Sequence, residues 1–321
     1  MDSQSEPSST DSTPSPAPLS VPLHATTPLA PARPRVWTVF LAFVLTLVTL
    51  VVAGALMFGI AVAVELARTG AKPQDTAAIN ALVEQLKLRP WLHVASIVMS
   101  STTTLAVALL GASLSPQPWR ERLRLQAGAP LPAWVWAATV VGCCALGQAM
   151  ESATILTGAW DWTTTLKGIQ ATSGASAGAF ALLMLFGALV AGTAEELFFR
   201  GYLQGRLVER WGRTAGIAAA ATLFGVMHMD PIHSPIALAM GLFLGWLAEH
   251  TGSVRLPVCV HILNNAVSFL LTRYATPSSQ LPTPLHVTML IVCPLLVVGA
   301  LVLVRRNSVV PVRLRTSVGG S

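Results

Sequence analysis

Charge is what this chain has least of. Asp, Glu, Lys and Arg make up 11% of its 321 residues, where a water-soluble globular domain carries about 25%. Hydrophobic residues make up 53%, and the mean hydropathy is +0.63. These values exclude an ordinary soluble domain and predict an all-α, polytopic membrane helix bundle. The net charge of +6 does not argue for nucleic acid, because the arginines are scattered over short loops between apolar runs rather than gathered on one domain. Only four cysteines occur (Cys143, Cys144, Cys259 and Cys293), all inside apolar runs and without CxxC spacing. That excludes a disulfide framework or a cysteine metal cluster and leaves small buried hydrophobes. HExxH, the strong zinc-protease signal, is missing. So is any internal repeat, which removes support for a transporter built from two similar halves.

Eight apolar spans follow one another: Val36–Val64, Trp91–Leu114, Ala133–Leu156, Ala177–Arg200, Thr214–Met229, Pro235–Ala248, Pro257–Leu271 and Leu285–Val304. The fifth to seventh are short against the ~20 residues that a crossing needs. Residues 1–35 are rich in Ser, Pro, Thr and Ala and are expected to be a disordered cytoplasmic tail. Residues 36–306 form the transmembrane domain, and 307–321 a second short tail. No signal peptide is expected, since the first apolar run begins at Val36. With a cytoplasmic N-terminus, 13 basic residues fall inside and 6 outside, Arg200 being set aside as intramembrane. This asymmetry fits an even number of spans with both termini inside. Thr76–Leu88 alternates apolar and polar residues at helical spacing and is expected to form an amphipathic helix on the outer face.

Three spans carry polar residues. In the fourth, Glu196 and Arg200 are one turn apart and can pair along one face, while Glu195 lies about 100° further round the helix. In the fifth, His228 follows Phe224 by one turn. In the seventh, His261 and Asn265 share a face. Intramembrane charge is costly, about 2.5–3.5 kcal/mol per group even on lenient scales, and such groups face an interior or a wet cavity. At 1.5 Å per residue, Glu195 is about 15 Å from Gly205, His228 about 22 Å from Arg213, and Asn265 about 15 Å from Arg255. These depths match, so the four groups are expected to share one cavity near the bilayer middle. A carboxylate and an imidazole there can hold and deprotonate a water. A second imidazole and a carboxamide can donate to a developing oxyanion. That set describes amide hydrolysis without a covalent intermediate.

Glu195-Glu196-x-x-x-Arg200, Phe224-x-x-x-His228 and His261-x-x-x-Asn265 resemble, in order and setting, the three motifs of the CAAX protease and bacteriocin-processing (Abi) family. That family includes the type II CAAX prenyl endopeptidases. The resemblance covers about residues 177–272. It implies a glutamate-dependent intramembrane endopeptidase, with Glu195 and His228 activating water, His261 and Asn265 forming the oxyanion site, and Glu196–Arg200 as the supporting pair. The family is often labelled metalloprotease, and Glu195, His228 and His261 are ligand types that suit Zn2+. The expected partners are a membrane-anchored protein or peptide substrate and the lipid bilayer, with no nucleic acid. The expected location is a bacterial inner membrane.

Plainer readings stand beside these. Glu196–Arg200 is also a structural ion pair; a lone His228 is a core histidine bonded to backbone; His261 and Asn265 also suit helix–helix hydrogen bonding. A non-catalytic scaffold or immunity-type protein would keep all of them for structure, and a proton-coupled transporter would use Glu195 and His228 as a relay. Asn264 points off the His261 face and is expected to pack. Gln148 and Glu151 are expected to bond between helices, Asp230 and His233 to form a turn, and Glu249 and His250 to be solvated. Trp134, Trp136, Trp160 and Trp162 mark interfacial belts. Gly187, Gly192, Gly241 and Gly245 are expected at close helix contacts.

Overall fold

The structure, a computed structural model, describes residues 35–70 and 74–308. The expected tails lie outside these, apart from residue 35 and residues 307–308. Ten helices form the framework: α1 (Trp37–Thr69), α2 (Thr76–Lys87), α3 (Pro90–Ser113), α4 (Ala133–Leu156), α5 (Thr165–Ala175), α6 (Ala177–Trp211), α7 (Arg213–Met227), α8 (His233–Thr251), α9 (Arg255–Tyr274) and α10 (Thr283–Asn307). No strand occurs among the described residues. Six helices (α1, α3, α4, α6, α9 and α10) are long and apolar enough to cross a membrane. α7 has only 15 residues, and α8 has polar groups at both ends.

Large apolar side chains point outward on the long helices. Leu56 and Ile60 of α1 are 63% and 64% exposed, and Leu295 of α10 is 67% exposed. Charged groups are meanwhile inside, with Glu196 and Arg200 fully buried. In water this arrangement would collapse; in lipid the outer surface matches its solvent. The chain is an integral membrane protein with an all-α polytopic bundle.

Two apolar cores organise it. Val39 and Phe43 of α1, Ala108 of α3, Phe198, Phe199 and Leu203 of α6 and Phe224 of α7 form one. Val135 and Cys143 of α4, Phe243 and Leu247 of α8, Val260 of α9 and Ala300 and Val304 of α10 form the other. α2 turns Leu82 and Leu86 onto Ala61 of α1 and Leu92 of α3, so its apolar face is covered by the protein itself. All four cysteines are free, and Cys143 and Cys293 are buried.

The fourth span differs most from its expected form. Its helix does not stop near Gly205 but continues to Trp211, 35 residues in all. Gly205 does not break it, because Leu207 is buried in the first core and Arg206 reaches Thr38 of α1. Gly212, at φ +83°, ends it, a conformation that costs glycine little. Glu195 therefore lies about 24 Å from the helix end rather than about 15 Å. α6 also widens to π geometry twice, over Leu183–Val190 and Leu197–Gln204. The six residues between, Ala191–Glu196, keep α geometry and carry both glutamates. Wide turns of this kind are rare and tend to mark functional positions.

The expected small-residue contacts are present. A Cβ on Gly192 would lie 3.1 Å from the Ile262 backbone nitrogen, so α6 and α9 touch where the glutamates meet His261. Gly192→Leu is expected to push the two helices apart and lower the thermal unfolding midpoint in detergent, at a cost of about 1–3 kcal/mol. An unchanged midpoint would show that the contact is slack.

Candidate active site

Glu196 is the hub. Its Oε1 accepts from Arg200 Nη1 at 2.6 Å, one turn along α6, and from His261 Nδ1 at 2.8 Å, across to α9. Its Oε2 is buried without a partner. A carboxylate can only accept, so the proton is assigned to His261 Nδ1 and the ring turns Nε2 outward. Nε2 stands 3.8 Å from Glu195 Oε2. Arg200 is fixed further by the Gly241 carbonyl at 3.3 Å and lies over the Phe224 ring at 4.5 Å. The expected Glu196–Arg200 pair is therefore present, completely dehydrated, and shared with the second histidine. Glu195 has no arginine partner, and its side chain is 20% exposed.

Phe224 joins the three motifs physically. Its ring meets Phe199 at 5.0 Å, His228 at 4.8 Å and His261 at 6.0 Å, each close to perpendicular. Its carbonyl holds His228 Nδ1 at 2.8 Å. A carbonyl only accepts, so His228 carries its proton on Nδ1 and, when neutral, leaves Nε2 as a free base. The F-x-x-x-H spacing thus serves two contacts one turn apart. His228 does not lie within the helix, as the span Thr214–Met229 implies, but caps the end of α7; Met229 at φ +48° then reverses the chain.

The reversal is built by Asp230. Its Oδ1 accepts from the Ile232 and His233 amides, and its Oδ2 from Thr163 Oγ1 and the Thr164 and Thr165 amides, all at 2.8–3.1 Å. The expected turn is present, and it also ties α8 to the start of α5. Burial alone would raise the Asp230 pKa, but together the hydrogen bonds from His233, Thr165, Ile232 and Thr163 outweigh it and bring it down to about 2. His233 goes beyond its expected place in a turn. Its ring packs edge to face on His228, centroids 4.4 Å apart, and its Nδ1 is buried without a partner. The sequence signal that could have found it is its position in the first turn after the Asp230 cap, which folds it back on His228.

Asn265 donates one amide hydrogen to the Gly187 carbonyl of α6 at 3.1 Å, which leaves the other free. Asn264 is buried and packs as expected, its Nδ2 3.3 Å from Asn265 Oδ1. Gln148 and Glu151 bond to each other along α4 at 3.4 Å, and Glu151 also reaches Ser278 in the turn between α9 and α10. The interhelical bond at that level belongs to Ser152 and His286, which are 3.1 Å apart. Glu249 is not solvated: it pairs with Arg124 and accepts from Gln204 at 2.9 Å, because the loop before α4 folds over the end of α8. His250 stacks on Trp246. No group of three His, Cys, Asp or Glu side chains able to hold a metal ion occurs among the described residues. The expected zinc trio of Glu195, His228 and His261 does not close around one point in this arrangement.

Residues 177–267 match the family described as type II CAAX prenyl endopeptidase Rce1-like. The matched segment runs from the start of α6 through His261 and Asn265, so all three motifs lie within it. The resemblance read from those motifs holds over this stretch. The chain is also 26% identical over 84 residues to a Bacillus subtilis (strain 168) protein named "Putative membrane peptidase YdiL". That alignment covers 26% of this chain and about a third (34%) of the relative. No solved structure matches.

Two outcomes follow. Arg200→Met leaves the buried Glu196 charge with only the His261 hydrogen bond, and is expected to cost about 3–5 kcal/mol. Glu196→Gln with Arg200→Met should recover part of that loss, read as unfolding midpoints in detergent. The second concerns pH. The folded Asp230 pKa lies below the ordinary 3.8, so its contribution is present above pH 3.8 and is lost as pH falls toward 2. Asp230→Asn is therefore expected to be less stable than wild type at neutral pH, with the gap closing between pH 4 and 2. A constant gap would contradict it.

Proposed function

We propose that the protein is an intramembrane endopeptidase of the CAAX-protease type, cleaving peptide bonds of membrane-associated substrates. The observation that carries this reading is the meeting of Glu195, Glu196, Arg200 and His261 inside a lipid-facing bundle, with Glu195 the one glutamate left without an arginine. A charge kept there at such cost has a task.

In this reading Glu195 takes a proton from water, His228 Nε2 helps to hold that water, and its oxygen attacks the scissile carbonyl. The free amide hydrogen of Asn265 stabilises the oxyanion, joined by His261 Nε2 when that ring carries a second proton besides the one Nδ1 gives to Glu196. The C–N bond then breaks, and Glu195 returns its proton to the leaving amine. Glu196 and Arg200 do not touch the substrate; they hold His261 in orientation. Zn2+ remains a proposal carried by the family label alone, and no step here requires it. The substrate is proposed to be a membrane-anchored protein or peptide. The basic residues Arg122, Arg206, Arg213 and Arg255 lie at linked positions, bonded to Tyr202, Thr38, Glu249 and Leu125. Their gathering at one end supports an orientation with that end and both termini cytoplasmic; the proposed location is a bacterial inner membrane.

The test is cleavage of membrane-anchored and C-terminal reporter peptides by detergent-purified protein. Glu195→Gln and His228→Ala are each expected to lower the rate by about 10²-fold or more while the protein stays folded. Undiminished cleavage by both would sink the reading. A parallel chelator arm, with zinc added back, reads the metal requirement separately. Folded wild type that cleaves nothing across the library would favour the non-catalytic scaffold.

A further inference from the structure

Where α1 begins and α6 ends, two arginines share one tyrosine. Arg122 comes from the short helical turn Trp119–Arg122 between α3 and α4. Its guanidinium lies 4.9 Å from the Tyr202 ring centroid, and that of Arg206 lies 4.7 Å from the same ring. Among the described residues neither makes a salt bridge to a carboxylate, although Arg124 nearby is paired with Glu249. Arg122 is 4% exposed and donates to the Tyr202 carbonyl, and its Nε is buried with no partner. Arg206 donates from Nη1 to Thr38 Oγ1 and to Tyr202 Oη. Most of the N–H donors on the two forks are therefore unused by the protein.

One aromatic ring does not neutralise two guanidinium groups. Burial, and then the positive charge of Arg206, push the Arg122 pKa down to about 10, and Glu209 acts in the opposite direction. Glu121 shares the turn with Arg120 and Arg122, so the local balance stays positive. The level in the membrane is also marked. Trp37, Trp119 and Trp211 are 59%, 50% and 46% exposed around this end of the bundle, and Trp211 packs on Phe40 of α1. Exposed tryptophans sit at the headgroup layer, where the most abundant anion is lipid phosphate. Arginine forks match phosphate in shape and charge.

We propose that Arg122 and Arg206 form a phosphate site that holds the headgroup of an anionic membrane lipid, clamping the start of α1 and the Trp119–Arg122 turn onto α6. This does not depend on the catalytic reading. Occupation would draw chiefly on the free donors of the partly exposed Arg206 and would relieve the repulsion between the two arginines. It would also steady the helix that carries both glutamates.

The test uses the full chain in neutral detergent, with unfolding midpoints read in short-chain phosphatidylglycerol, phosphatidylcholine or inorganic phosphate at matched ionic strength. Phosphatidylglycerol is expected to raise the wild-type midpoint by a few degrees and phosphatidylcholine to leave it unchanged. Arg206→Gln should lose most of the rise, and Arg206→Lys, which keeps the charge but not the fork, should lose part of it. An equal rise in Arg206→Gln, or with phosphatidylcholine, would overturn the proposal. A full rise with inorganic phosphate alone would overturn the lipid as its source. Native mass spectrometry of delipidated wild type reads the site without any variant: selective retention of phosphatidylglycerol supports it, and indiscriminate retention overturns it.

Discussion

One carboxylate, Glu196, binds this structure together. It lies in an environment with almost no water, and its Oε1 serves an arginine on its own helix and a histidine on another. In such surroundings an ion pair that loses one partner leaves a charge with no alternative solvent, so both partners are held tightly. The pairing fixes the rotation of α6 about its axis, and that rotation turns Glu195 toward His261 instead of lipid. It also sets the spacing of α6 and α9, which requires Gly192 to present no side chain to Ile262.

Phe224 supplies the apolar counterpart. Its ring is the common neighbour of Arg200, His228 and His261, and its carbonyl sets the His228 tautomer. The motif that reads in sequence as a phenylalanine and a histidine four residues apart is, in space, the joint between α7 and both other motif helices. The two π segments flank the glutamates on α6, so a short α-helical stretch carries the reactive pair between wider turns. Asp230 completes the frame from the far side by gathering five donors and bringing His233 back onto His228.

Around this frame, polar groups fall into two kinds. Some are satisfied within the protein, such as Glu249 among Arg124 and Gln204, or His286 with Ser152 and the Ser278 carbonyl. Others keep unused capacity: Glu195, His228 Nε2, the second amide hydrogen of Asn265, His233 Nδ1, and the forks of Arg122 and Arg206. The first four lie on the motif helices or beside them. The last two lie at the headgroup end.

Much was legible in the sequence. Long apolar runs determined the helices and their order, because lipid admits only backbones that satisfy themselves and so leaves helix as the one local solution. Helical periodicity determined the Glu196–Arg200 pair, since residues one turn apart meet whatever else packs nearby. The motif residues and the small-residue contacts were equally visible. What depended on neighbours was not. The length of α6 beyond Gly205, the sharing of Glu196 with His261, the place of His228 at a helix end and the burial of Glu249 are set by other helices. So are the contact of His233 with His228 and the arrival of Arg122 on the Tyr202 ring. No local signal carries these, because each arises from segments 30 or more residues apart, or from a turn whose direction a distant partner decides, and only the packed bundle brings them within reach.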